Sequence, residues 1–191
     1  MARDDSPRLD RLAEPQIALA GPVDETMLKE LRQQLRSATR GDGPVTLELT
    51  TLGGGAEMGR RAMLEIELAR ERIAPRRLQF LGKTVVYSAG VTLMSGFARE
   101  DRFLTEDAVL LIHCRQLEQD VKLSGPLRTS VPLLKAKVHE LEMGIRLEIE
   151  AFEKLIAGTG VTMDELLEKA LYDWYVPAQE AVELGLVAGT V

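Results

Sequence analysis

The sequence predicts an α/β fold built from strand, helix and strand crossover units, and three observations carry that expectation. Short β-branched or apolar runs alternate with stretches that are apolar at helical spacing. The first strand, helix and strand close within ~35 residues, the span a crossover needs. The pattern then recurs down the chain with turn residues at its joints.

Gln16 to Ala20 is a short apolar run ended by Gly21-Pro22, and Val45 to Thr50 alternates with β-branched content, so both read as strands. Between them Asp24 caps a helix through Ala38, with Met27, Leu28, Leu31 and Leu35 apolar at helical spacing. Gly53-Gly54-Gly55 opens a second helix through Glu71, Leu78 to Leu81 is a strand, and Ser88 to Phe97 is an apolar helix. Two short strands follow, Arg102 to Leu104 and Ala108 to His113. Ser130, with Pro132 in the first turn, starts a helix to Ala157, where Gly158 supplies a left-handed cap; its length is ~40 Å. Leu134, Val138, Leu141, Ile145, Ile149, Phe152 and Ile156 mark one face, and Leu133, Leu147 and Leu155 a second, so one is expected to pack on its own domain and the other on a partner. Thr162 to Glu165 is a capping box for a helix to Leu171, and Pro177 to Leu184 is the last helix.

At 191 residues and 45% hydrophobic, residues 16 to 191 are expected to form one domain. Residues 1 to 15 are polar, hold Pro7 and Pro15 and lack periodicity, which predicts a flexible arm. A net charge of -6, with no Lys/Arg run longer than a pair, argues against a nucleic-acid partner. No apolar run reaches membrane-spanning length, no signal-like start is present, and one cysteine excludes an internal disulfide, so the expected home is the cytoplasm.

Few residues are placed for chemistry. Ser88 in Val86-Tyr87-Ser88-Ala89-Gly90 sits between a strand and an apolar helix, where free backbone N–H groups favour an oxyanion. It reads either as a nucleophile or as an ordinary N-cap, since Val86 stands where a nucleophile elbow has its first glycine. His113 ends an apolar strand, while His139 lies mid-helix at a position expected to be solvated. Cys114 neighbours His113 and is expected to pack in the core on the opposite strand face. Gly53-Gly54-Gly55 lets backbone N–H groups approach a substrate or cradle a phosphate, although no Walker or dinucleotide fingerprint is completed. Asp173, before Trp174-Tyr175, is in a setting expected to bury its carboxylate in part, as a triad orienter needs, or else is a plain loop residue.

Four segments in order resemble the proteolytic subunit of the Clp protease, within the superfamily that includes the crotonases. Leu49-Thr-Thr-Leu-Gly53-Gly54 is similar to the family's oxyanion strand, Tyr87-Ser88-Ala89-Gly90 to its nucleophile turn and Leu110-Leu-Ile-His113 to its histidine strand. The run from Asp173 to Val187 resembles the ending that holds its aspartate. The resemblance implies a ClpP/crotonase-like spiral of repeated β-β-α units, with the helix at about 130–157 protruding as a handle. It also implies a Ser88, His113 and Asp173 triad, an oxyanion hole from Gly54 and Ala89, no cofactor or metal, and a ring-like homo-oligomer acting on peptide or unfolded protein. The family's dock for an AAA+ unfoldase lacks its Tyr-x-Tyr strand here, and Tyr172 stands where the family has a ring-bridging arginine. The expectation is therefore a serine endopeptidase independent of an ATPase. A crotonase-type acyl-coenzyme A hydratase or isomerase and a silent scaffold subunit are the alternatives.

Overall fold

The computed structural model describes Leu12 and residues 14–38, 40, 42–116 and 120–191. The elements run β1 (Ile17–Ala20), α1 (Glu25–Ala38), β2 (Val45–Thr51), α2 (Ala56–Ile73), β3 (Leu78–Tyr87), α3 (Ala89–Met94), β4 (Arg102–Leu104) and β5 (Val109–Ile112). They continue with α4 (Leu127–Ile156), α5 (Met163–Ala170), β6 (Trp174–Pro177), α6 (Ala178–Glu183) and β7 (Gly189–Thr190). The caps read from sequence are in place. Asp24 Oδ1 accepts the Met27 N–H at 2.9 Å, and Thr162 Oγ1 accepts the Glu165 N–H at 3.2 Å. Most of the expected arm lies outside the described residues, but Leu12 is buried against Leu81 and Phe103.

The strands form one seven-stranded sheet, parallel except where β5 meets β6. β3 is the hub, and it is longer than the sequence suggests. Leu49 faces Gly82 but Thr51 faces Val86, so two steps on β2 oppose four on β3. This bulge, with Thr84 at φ 58°, bends the strand. Before the bend Phe80 to Gly82 pair with β4; after it Val85 to Tyr87 pair with β5. Thr50 Oγ1 donates to Lys83 O at 3.0 Å, and the Lys83 ammonium pairs with the Glu48 carboxylate, which fixes the bulge from below. Gly82-Lys83-Thr84 breaks the apolar run, which is why the strand looked finished at Leu81. The short β6 and β7 went unread for a similar reason: each is too brief to show a period.

Arg102 is a buried cation that sequence reading passed over. Its side chain, in a residue only 2% exposed, donates to the carbonyls of Ser95, Phe97, Lys154, Leu155 and Leu186. Those of Lys154 and Leu155 are the orphan acceptors at the end of α4, where the helix dipole favours a cation. Burial, then the Arg70 and Arg99 charges, lowers its pKa to about 10, so it stays charged at neutral pH.

α4 has 30 residues and is ~45 Å long. It begins at Leu127, so Pro132 falls inside it rather than in the first turn. Its apolar residues divide by length and not by face, which corrects the two-face expectation. Val131, Leu134, Val138, Leu141 and Ile145 are exposed, whereas Glu148, Ala151, Phe152 and Leu155 are buried. The docked end is held to α2 by Lys154–Glu67 (2.5 Å) and Arg60–Glu150 (3.3 Å). Among the described residues no helix is long and apolar enough to cross a membrane.

Candidate functional site

The sheet brings the ends of β2, β3 and β5 and the start of β6 to one edge, and the sequence-selected residues lie there. Ser88 follows β3 directly with φ 54° and ψ -115°, a conformation that costs a non-glycine residue ~1–3 kcal/mol. Its N–H is fixed to Leu111 O at 2.8 Å, while its hydroxyl makes no cap bond to α3. The plain N-cap reading of Ser88 is thereby removed: the backbone is strained and the hydroxyl is unspent. Gly53, at φ 103°, lies against it; a Cβ there would stand 2.9 Å from Ser88 Cβ and 3.3 Å from Tyr87 O. Gly54 is bridged to Val23, and a Cβ on it would stand 2.5 Å from Val23 O.

That bridge uses the N–H groups of Val23 and Gly55. The Gly54 N–H, alternating along the extended segment, is on the other side. Ala89 opens α3, so its N–H is one of the orphan donors of a helix start. Gly54, Ser88, Ala89 and His113 all line one cleft of about 1140 Å³, which α4 roofs with Leu141, Ile145 and Phe152 among its apolar side chains.

His113 stands one residue past β5. Its Nδ1 is 2.7 Å from Cys114 O, and because a carbonyl only accepts, Nδ1 carries the proton. In the neutral ring this leaves the lone pair on Nε2, the tautomer a general base needs. Among the described residues neither the Ser88 hydroxyl nor Nε2 has a hydrogen-bond partner. Cys114 is not on an opposite strand face as expected: the strand has ended, and Cys114 both touches the core and lines the cleft. Burial, then the Glu148 carboxylate, pushes its thiol pKa up, so it is a poor competing nucleophile. His139 is exposed on α4, beside Glu142 at 3.6 Å.

Asp173 differs from its expectation. The antiparallel register Leu111↔Tyr175, Ile112↔Trp174, carried one step further, sets it across from His113. Yet it is exposed at φ 57°, is not part of the cleft wall, and among the described residues its carboxylate makes no hydrogen bond. The reason is alternation: Trp174 and Val176 point into the core, which turns Asp173 and Tyr175 outward. Tyr175 stacks edge-on with Tyr87 at 5.8 Å instead of covering the carboxylate.

Three charged residues of the site escaped sequence reading. Glu148 of α4, 8% exposed, accepts the Arg115 N–H, and Arg115 Nη1 reaches Glu57 Oε1 at 2.7 Å on the first turn of α2. Glu148 did carry a signal, since it falls three, four and seven residues before Ala151, Phe152 and Leu155 and so shares their docking face.

No family model and no curated protein matches the chain. Among solved structures, a point mutant of ClpP1 from Listeria monocytogenes superposes with a TM-score of 0.70 at 18% identity, over 98% of this chain and 95% of that one. The fold is ClpP-like.

Proposed function

We propose that this chain is a serine-type endopeptidase that acts on short or unstructured peptides and assembles with copies of itself. The observation that carries the reading is Ser88: a strained, uncapped serine at a helix start, in one apolar cleft with an imidazole whose Nδ1 is hydrogen-bonded to a main-chain carbonyl. In the reaction the Ser88 hydroxyl gives its proton to His113 Nε2 as the oxygen attacks a peptide carbonyl. The oxyanion is received by the Gly54 and Ala89 N–H groups, each worth ~3 kcal/mol in such sites. The imidazolium then protonates the leaving amine, an acyl-Ser88 remains, and water releases it by the same steps. Asp173 is the third residue by family resemblance; here His113 Nδ1–H is given to Cys114 O.

The exposed apolar half of α4 supports self-association, a ring in the manner of the resembling family. The apolar cleft wall supports substrates with an apolar side chain beside the scissile bond. Cleavage of a fluorogenic peptide library tests the reading: turnover is expected for wild type and lost in Ser88→Ala. Turnover that persists in Ser88→Ala contradicts it.

A further inference from the structure

We infer that Glu148 is the positioning carboxylate for His113, acting through the peptide group that joins Cys114 to Arg115. The inference deepens the peptidase reading and rests on it for its catalytic meaning. One planar peptide unit is hydrogen-bonded at both ends: its C=O accepts His113 Nδ1–H at 2.7 Å, and its N–H is donated to the Glu148 carboxylate. Peptide resonance links the two bonds, because an anion on the N–H draws negative charge onto the oxygen. The Cys114 carbonyl thus becomes a stronger acceptor, and the ring is held with Nε2 free as a base.

The surrounding charges favour Glu148 over its competitors. From α2, Glu57 is neutralised by Arg115; from α4, Glu140, which also lines the cleft, is paired with Lys137; and Glu148 faces main chain and the Cys114 thiol. From the turn before β6, Asp173 is exposed, where solvent weakens its field. Glu148 is therefore the buried carboxylate with a bonded path to the imidazole. Its position late in α4, next to Ala151 and Phe152, keeps that path rigid.

The test is the titration of His113, followed by NMR of the imidazole in the full-length protein, with His139→Gln assigning the only other histidine. Glu148→Gln keeps the shape and an acceptor for the Arg115 N–H but removes the charge. It is expected to lower the His113 pKa by about half a unit or more. It is also expected to lower kcat about tenfold or more with KM little changed. Glu153→Gln, an exposed charge change on the same helix, is expected to move neither quantity. The inference is overturned if Asp173→Asn shifts the titration as much as Glu148→Gln, or if Glu148→Gln leaves it unmoved. Because the titration needs no turnover, a protein that cleaves nothing yet shows the Glu148 shift sinks the peptidase reading and leaves the relay standing.

Discussion

The turn at Ser88 and the strand end at His113 are built in opposite ways. Around Ser88 the main chain is over-determined: Gly53 and Gly54 leave room that any side chain would fill, and the Ser88 N–H is tied to β5. At His113 the strand is over, and the imidazole is oriented by the peptide that follows it and by a residue 35 positions on, Glu148. The nucleophile's position is thus written in local backbone, and the base's position in tertiary contact.

Perturbations separate the two halves. The largest effect is expected for Arg102→Met, which leaves the carbonyls that close α3 and α4 without their donor and loosens both halves together. A loss of ~3–5 kcal/mol in denaturant unfolding is expected, and a loss under 1 kcal/mol would show that Arg102 does not join them. Gly53→Ala strikes the Ser88 half alone. With φ at 103° and a Cβ only 2.9 Å from Ser88 Cβ, it is expected to cost ~2–3 kcal/mol of stability and to abolish peptide turnover while the His113 titration stays in place. Turnover near wild type would mean the turn is not the constraint it resembles.

Smaller changes probe the His113 half. The raised thiol pKa means that less Cys114 is thiolate at pH 8, so its alkylation by iodoacetamide should run slower than that of a free thiol; Glu148→Gln should speed it severalfold. Equal rates in the two proteins would remove Glu148 from that neighbourhood. Asp173→Gly relieves a positive φ and is expected to raise stability by ~0.5 kcal/mol, seen as a small rise in Tm.

The same contrast explains what was legible in the sequence. The α/β architecture, the Asp24 and Thr162 caps and the helix from Ala56 follow from periodicity and capping chemistry, which are local. Gly53, Gly54 and Ser88 were legible because a strained turn must be spelled in small residues at fixed spacing. Asp173 was selected from a segment pattern, but strand alternation at Trp174, invisible until β6 was recognised, turned it toward solvent. Glu148 was hidden because a glutamate in a charged helix looks solvated until the helix is docked. Arg102 was hidden likewise, since its partners are backbone carbonyls that leave no mark in sequence.

Covalent capture reports whether the Ser88 oxygen is an activated nucleophile. Treatment of the native protein with a fluorophosphonate at pH 7.5, followed by intact mass and peptide mapping, should give one adduct on Ser88, lost in Ser88→Ala and strongly slowed in His113→Ala. An unmodified protein, or an adduct on another residue with Ser88 untouched, would show that the Ser88 oxygen is not activated.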